Sequence, residues 1–127
     1  MANIYNQIDL DIESYLNFTH QIADVASNVI KPLFRSNLEI TDKGDKENRL
    51  SQVTEADRGA ERAMRSLIEE KFPQHGIIGE EYGYTRSQSK YVWVLDPIDG
   101  TDPFLAGLPT WGSLIALMID GRSCIGM

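Results

Sequence analysis

The chain has 127 residues, of which 42% are hydrophobic and 24% charged, a composition typical of a globular domain with its own core. Its net charge of −7 argues against nucleic acid or an anionic membrane as the main partner, and its single cysteine excludes an intrachain disulfide and a cysteine-based zinc cluster. The chain contains no leader-like N-terminus and no apolar run near the ~20 residues that span a bilayer, so we expect a cytoplasmic protein.

The first predicted element is a helix over residues 11–35. Its apolar residues recur at helical spacing and predict one buried stripe: Phe18, Ile22, Val25, Ala26, Val29 and Leu33. Pro32 should kink or tighten the last turn, because proline has no N–H to donate. Residues 36–52 are polar and charged and predict a mobile surface loop.

A second helix is predicted to begin near Thr54, where residues 54–57 have the pattern of an N-terminal capping box. Pro73 and Gly76 should end it. Its buried stripe is predicted to contain Ala60, Ala63, Met64, Leu67, Ile68 and Phe72. Its charged side chains are expected to form a solvated face, made of Arg58, Glu61, Arg62 and Arg65.

Short apolar runs in the second half of the chain predict strands. These are residues 77–79 and 91–95, separated by a polar connection over 83–90, then residues 111–119 and a returning strand over 123–127. Asp120-Gly121 lies between the last two runs and is a strong hairpin signal. Two helices followed by such strands predict an α+β fold, with an antiparallel sheet packed on a pair of helices. Cys124, in the last strand, is expected to be a small buried apolar residue.

The segment Asp96-Pro97-Ile98-Asp99-Gly100-Thr101 places two carboxylates, a hydroxyl and turn N–H groups directly after a predicted strand. Carboxylate oxygens are ligands of Mg²⁺, and N–H groups in a turn bind phosphate. Two carboxylates about 4 Å apart repel by roughly 4 kcal/mol at an effective dielectric of ~20, so a cluster with Glu80 would need protons or cations. Oxygen ligands favour Mg²⁺ over zinc. The residues alone leave open the alternative that Asp96 and Asp99 only form and cap a turn.

Three motifs together resemble the inositol monophosphatase family. They are Val53-Thr54-Glu55-Ala56-Asp57, Gly79-Glu80-Glu81, and Trp93-Val94-Leu95-Asp96-Pro97-Ile98-Asp99-Gly100-Thr101 followed by Phe104. Residues 32–35 and 104–112 are most similar to the histidinol-phosphate phosphatase branch. The resemblance covers most of the chain. It implies one metal-site domain over residues 1–127, equivalent to the N-terminal domain of that phosphatase fold with the C-terminal domain absent.

The resemblance implies Mg²⁺-dependent hydrolysis of a small phosphate monoester by a metal-activated water. Histidinol phosphate, and with it a role in histidine biosynthesis, and inositol monophosphate are the substrates it suggests. The implied enzyme is a homodimer without nucleic-acid or membrane partners. The implied ligands of two or three Mg²⁺ ions, with Mn²⁺ as a substitute, are Glu80, Asp96, the backbone carbonyl of Ile98 and Asp99.

The same resemblance assigns catalytic and phosphate-binding roles. Glu80 and Thr101 would orient the attacking water, and Asp57 would accept a hydrogen bond from the Thr101 hydroxyl. The N–H groups of Gly100 and Thr101 would hold the phosphate. Lys43 or Lys46, in the predicted loop, would close over the site.

The chain departs from the family pattern in two respects. Asp102-Pro103 stands where the histidinol-phosphate branch carries a basic and then a small residue. An acid beside a phosphate site is unfavourable unless it turns outward, and Pro103 should restrict Asp102 to extended conformations. The chain also ends where family members continue for roughly as long again, so we expect an N-terminal fragment with weak or no activity alone.

Two alternatives belong to other functional classes. A haloacid-dehalogenase-type phosphatase uses Asp-x-Asp-Gly-Thr after an apolar strand, but Asp96 and Asp99 are one residue further apart than that motif requires. A non-catalytic metal-binding or assembly fragment of such a phosphatase would bind cations and self-associate without turnover.

Overall fold

The computed structural model describes residues 4–35 and 45–127. The helices are α1 (Ile4–Ile30), continued by a 3-10 turn (Lys31–Leu33), α2 (Asp45–Lys71) and the short α3 (Thr101–Leu105). The strands are β1 (Gly76–Gly79), β2 (Gly83–Thr85), β3 (Tyr91–Asp99), β4 (Gly112–Ile119) and β5 (Arg122–Gly126). The predicted α+β class is confirmed.

Helix α1 begins at Ile4, earlier than predicted, and its last turn is tightened as expected at Pro32. The backbone N–H of Phe34 donates to the carbonyl oxygens of Ile30 and Lys31 at 3.1 and 3.2 Å, which closes this turn. None of the helices in the described ranges combines the length and the apolar character that crossing a bilayer requires.

Helix α2 begins at Asp45, so the predicted start near Thr54 is wrong. The Thr54 hydroxyl donates to the carbonyl oxygen of Leu50 at 2.9 Å, a contact within the helix rather than an N-terminal cap. Residues 45–52, predicted as part of a loop, are helical because charged residues such as Lys46 are good helix formers. The remainder of that predicted loop, including Lys43, lies outside the described residues.

The five strands form one sheet in the order β2-β1-β3-β4-β5. Strands β1 and β3 pair in parallel and the other pairs are antiparallel, so the prediction of an antiparallel sheet is wrong at this one pairing. The cause lies in residues 83–90, which were predicted as a plain connection. They contain β2, which pairs antiparallel on the outer side of β1. The chain then returns on the other side of β1, so β3 runs in the same direction as β1.

Helices α1 and α2 pack on one face of the sheet. Paired strand residues share a face, so the register places Ile77, Trp93 and Leu117 side by side beneath the helices. Half of the predicted stripe residues are fully buried: Phe18, Ile22, Ala26, Ala60, Met64 and Ile68. The other half are only partly buried: Val25, Val29, Leu33, Ala63, Leu67 and Phe72. The helices also bury Ile30, Val53 and Ala56, which the periodicity did not include. Trp93 is fully buried, and its indole Nε1 donates to His75 Nδ1 at 3.1 Å. Burial lowers the pKa of His75, which fits a neutral, structural imidazole.

Cys124 is exposed, contrary to the prediction that it is buried. Leu117 pairs with Ile125 and Met118 pairs with Ser123, so the register between β4 and β5 shifts by one residue. Cys124 is the extra residue of this bulge. Ile125 takes the buried position instead, at 6% exposure.

Candidate metal and phosphate site

The parallel pairing of β1 and β3 brings Glu80 and Asp96 to the same edge of the sheet. Gly79 and Leu95 are partners in this register; Glu80 follows Gly79 directly after β1 ends, and Asp96 follows Leu95 within β3. Asp96 lies close enough to Glu80 and Asp99 for their negative charges to oppose its own. The predicted convergence of Glu80 and Asp96 therefore follows directly from the sheet topology.

The acidic segment itself is extended, whereas a turn was predicted from Asp96 onward. Strand β3 continues to Asp99, and its register with β4 is irregular between Asp96 and Asp99. Ser113 Oγ donates to the carbonyl oxygen of Pro97 at 2.7 Å and ties this irregular segment to β4. The two acids are therefore separated along the strand. Asp96 is half-buried, whereas Asp99, at the end of β3, is exposed.

The chain turns only at Gly100, whose φ is 90°. A β-carbon at this position would lie 3.2 Å from the carbonyl oxygen of Thr110 and 3.3 Å from Cα of Trp111. Backbone conformation and crowding therefore both require glycine here. Thr101, the next residue, begins α3 and is half-buried.

Asp57 reaches the acidic edge from α2 and is only 8% exposed. It accepts a hydrogen bond from the backbone N–H of Ile98. Burial, followed by the negative charges of Glu81, Asp96 and Glu80, raises the pKa of Asp57 to about 7. Burial likewise raises the pKa of Asp96 to about 6, with Glu80 and Asp99 adding to the effect. Both acids are thus held in surroundings that oppose their negative charge.

Within the described part of the chain, Oδ1 of Asp57 and Oδ1 of Asp96 are buried side-chain oxygens without a hydrogen-bond partner. Unpaired buried oxygens are costly, and a hard cation is the partner that several nearby carboxylates favour. Among the side chains that the structure describes, no three of His, Cys, Asp or Glu stand in ligating positions around one point. The fit to Mg²⁺ therefore rests on the chemistry of these oxygens and on their shared position.

Asp102 does not have the extended conformation that Pro103 was expected to impose. It lies in the first turn of α3, where its carbonyl oxygen accepts from Ala106 N–H at 3.0 Å and its side chain is exposed. Pro103 is accommodated because N–H groups in a first helical turn have no intrahelical acceptor. The additional acid therefore turns towards solvent.

Two segments that were far apart in the sequence and shared the same branch resemblance are in contact. Phe34 packs against Phe104 and Trp111, with ring centroids 5.3 Å apart in each pair. Arg35 Nε donates to the carbonyl oxygen of Gly107 at 2.8 Å. The end of α1 thus supports the segment that follows the acidic strand.

Glu61 and Arg65 are the residues that sequence reasoning misjudged. They were predicted on a solvated face, yet Glu61 has no exposed surface and Arg65 is largely buried. Glu61 follows Asp57 by one helical turn, and this spacing was the available signal that both face the same edge. Their partners lie 18 to 21 residues away, which no local pattern indicates.

Comparison with known proteins gives concordant matches. The model of the inositol monophosphatase family matches residues 11–127. The bifunctional phosphatase IMPL2, chloroplastic, of Arabidopsis thaliana is 41% identical over 121 residues, which are 94% of this chain and 34% of that protein. A histidinol-phosphatase of Chlorobaculum parvum is 37% identical over 113 residues, 88% of this chain and 42% of that protein.

A solved structure agrees with these relatives. The inositol monophosphatase from Zymomonas mobilis superposes with a TM-score of 0.72 and 46% identity, over 90% of this chain and 42% of that one. The chain thus spans between 34% and 42% of the length of these three proteins. Their names include both an inositol monophosphatase and a histidinol-phosphatase, so the matches do not single out one branch. The chain belongs to the inositol monophosphatase family.

Proposed function

We propose that this chain is the metal-binding part of a Mg²⁺-dependent phosphomonoesterase, which hydrolyses a small phosphate monoester with a metal-activated water. The observation that carries the proposal is the buried Oδ1 of Asp96, a proposed ligand, which has no hydrogen-bond partner among the described residues; Oδ1 of Asp57 beside it is likewise unpartnered and free for a catalytic hydrogen bond. Both belong to a group of acids that oppose one another's charge. Family membership supports the reaction class.

The ions would be held by the carboxylates of Glu80, Asp96 and Asp99 and by the backbone carbonyl of Ile98. Carboxylate and carbonyl oxygens are the ligands that Mg²⁺ prefers. Bound ions would lower the pKa of a coordinated water and stabilise charge on the phosphate oxygens. The cluster's own negative charge favours a divalent cation over protons above the raised pKa values of Asp57 and Asp96, about 7 and about 6.

The chain's remaining site residues would bind the phosphate, orient the attacking water and accept its proton. The N–H groups of Gly100 and Thr101 lie at the start of α3, where backbone N–H groups suit an anion. Glu80 and Thr101 would orient the attacking water. Asp57 already accepts from Ile98 N–H, and its other carboxyl oxygen is the one that would accept from the Thr101 hydroxyl.

Histidinol phosphate and inositol monophosphate are the substrates we propose to test first. The similar proteins from Chlorobaculum parvum and Zymomonas mobilis are named for activities of these two kinds. Phe34 packs against Phe104 and Trp111, so the two segments that resemble the histidinol-phosphate branch form one structural unit. This contact is consistent with that branch but does not identify the substrate.

A second candidate function is a non-catalytic metal-binding or assembly module. A surface depression of about 470 Å³ lies beside Asp96, lined mostly by apolar groups of β3, β4 and β5. Leu114 and Met127 on its rim are 48% and 38% exposed. An exposed apolar surface of this kind favours contact with another protein surface.

Isothermal titration with Mg²⁺ tests the ligand assignment. Asp96→Asn should abolish tight binding, because this carboxylate is proposed to serve both ions. Asp120→Asn is the matched control, since Asp120 is an exposed acid in the β4–β5 turn, paired only loosely with Lys90 at 3.8 Å. Parent-like binding by Asp96→Asn would show that the assignment is wrong.

A phosphatase assay on the 127-residue chain with both substrates then separates the two functions. Mg²⁺-dependent release of phosphate, lost in Asp96→Asn, supports the hydrolase. The chain alone is expected to have weak or no activity, so stable self-association on size-exclusion chromatography, and not a lack of turnover, is the result that would support the assembly module.

A further inference from the structure

The turn that contains Glu80 is hydrogen-bonded to the buried carboxylate of Glu61 on helix α2. Glu61 Oε1 accepts the backbone N–H of Glu81 at 2.9 Å, and Oε2 accepts the backbone N–H of Tyr82 at the same distance. These two N–H groups belong to residues 80–82, here called the ligand turn, which joins β1 to β2. Glu61 therefore fixes the backbone on the C-terminal side of Glu80.

Gly79 provides the space in which Glu61 lies. A β-carbon built on Gly79 would collide with the Glu61 carboxyl carbon and with both of its oxygens. The φ of Gly79 is not positive, so backbone conformation does not demand glycine at this position. The close approach of the carboxylate is the physical reason for glycine directly before Glu80.

Arg65 completes the support one helical turn further along α2. Its Nε donates to Glu61 Oε2 at 2.9 Å, and its Nη1 donates to Thr85 Oγ1 at 3.0 Å. Its Nη2 donates to the carbonyl oxygen of Gly83. One guanidinium therefore joins the buried carboxylate to β2, on the far side of the ligand turn.

This arrangement is a poor way to gain stability alone. Removing a carboxylate and a guanidinium from water costs several kcal/mol per ion, which their attraction often fails to recover. The hydrogen bonds of Glu61 instead define where the backbone of the ligand turn lies, because charge-assisted hydrogen bonds to fixed partners restrict the position of a segment.

We propose that Glu61 and Arg65 are positioning residues, which hold the ligand turn so that the Glu80 carboxylate faces Asp96. This inference rests on the proposed role of Glu80 as a metal ligand. Asp57, Glu61 and Arg65 follow one another at four-residue spacing on α2, so a single helix face sets both Asp57 and the ligand turn. Residues that support metal ligands in this way typically change metal affinity by about 10- to 100-fold when altered.

The test is Mn²⁺ binding by the 127-residue chain, followed by electron paramagnetic resonance, in Glu61→Gln. Glutamine keeps the shape of Glu61, but its NH₂ group cannot accept one of the two backbone N–H groups. Mn²⁺ affinity should fall about 10-fold or more. Glu69→Gln is the matched control, because Glu69 lies on the same helix with its side chain 49% exposed, and its affinity should stay within about twofold.

Amide hydrogen exchange gives a second measurement that does not depend on metal. Exchange at Glu81 and Tyr82 should accelerate in Glu61→Gln, while the amides of the β3–β4 pairing keep their protection. Arg65→Lys is the milder variant, which keeps a positive charge beside Glu61 but cannot reach Thr85 and Gly83 together. Its Mn²⁺ affinity should lie between those of the parent and Glu61→Gln, so the proposal can be judged even if Glu61→Gln does not fold.

The outcomes separate this inference from the proposed function. A parent chain that binds Mn²⁺, with unchanged affinity in Glu61→Gln and Arg65→Lys, would overturn the positioning role and leave the metal site intact. A folded parent that does not bind Mn²⁺ at all would overturn the proposed function, and the positioning role with it. Weaker binding in both variants, with local loss of amide protection, supports both.

Discussion

The helix-covered face of the sheet and the acidic edge at the ends of β1 and β3 are built on opposite principles. The covered face buries Trp93, Leu95 and Leu117 among apolar neighbours. The acidic edge instead buries carboxylate oxygens of Asp57 and Asp96 that have no hydrogen-bond partner in the described structure. The first region stabilises the fold, and the second reduces that stability while leaving oxygens available to a cation.

Truncating the core should have the largest effect. Trp93→Ala removes a fully buried indole and the donor to His75, and we expect a loss of about 3–5 kcal/mol in the free energy of unfolding. Tyr84→Ala is the control in the same sheet, because Tyr84 is 74% exposed and should change stability by less than about 0.5 kcal/mol. Urea unfolding followed by circular dichroism measures the stability of both variants. Similar losses of stability in Trp93→Ala and Tyr84→Ala would contradict the contrast between the helix-covered face and exposed positions.

The acidic edge should make metal-free stability fall as pH rises. The pKa of Asp57 rises from 3.8 to about 7 and that of Asp96 from 3.8 to about 6, so the folded state binds more protons than the unfolded state across this interval. The stabilising contribution is therefore complete at low pH and is lost as pH passes through the folded values. Thermal melts from about pH 5 to about pH 8 should show a declining midpoint, which Mg²⁺ should restore. A midpoint that rises over this range would contradict the burial of these carboxyl groups.

Replacing one buried acid should have a smaller effect of opposite sign to the core truncation. Asp57→Asn removes a charge that its surroundings oppose, so metal-free stability at neutral pH should rise by on the order of 1 kcal/mol. The pH dependence of the melting midpoint should also become shallower. Mg²⁺ binding should stay largely intact in titration, while any Mg²⁺-dependent hydrolysis of a phosphate monoester should slow. Unchanged pH dependence would show that Asp57 is not the group responsible.

The smallest effect is expected at the exposed side of α2. Arg62 pairs with Glu55 at 3.4 Å and donates to the Tyr82 hydroxyl at 2.7 Å, but both charged side chains are more than half exposed. Arg62→Gln should leave the unfolding curve unchanged within error, because solvent screens such pairs. The informative measurement compares the free energy of unfolding of Arg62→Gln with that of Glu61→Gln under the same conditions. Equal losses of stability in the two variants would show that the burial of Glu61 does not increase the cost of replacing it.

The sequence predicted the covered face well because apolar periodicity reports burial directly. The buried residues Phe18, Ile22 and Ala26 and the strand containing Trp93 were both found by this route. The hairpin at Asp120-Gly121 was also predictable, since both residues adopt positive φ, at 51° and 77°, as such a turn requires. These features depend on neighbours in the sequence.

Features that depend on distant partners were not predictable. Glu61 has the same local surroundings as an exposed helical glutamate, and only the ligand turn and Gly79 distinguish it. Residues 45–52 contain good helix formers but no apolar stripe, so the periodicity that revealed the other helical residues did not indicate a helix here. The acids of the proposed site were selected from motifs, but the extension of β3 to Asp99 depends on its pairing with β4.

The parallel pairing of β1 and β3 has a consequence for how the chain tolerates change. The alignment of Gly79 with Leu95 is set by hydrogen bonds between these two strands, and residues 86–90 form an outer connection that does not enter this ladder. A short insertion within that connection would lengthen a surface excursion without displacing Glu80 relative to Asp96. The distance between Glu80 and Asp96 therefore does not depend on the number of residues in the connection between β2 and β3.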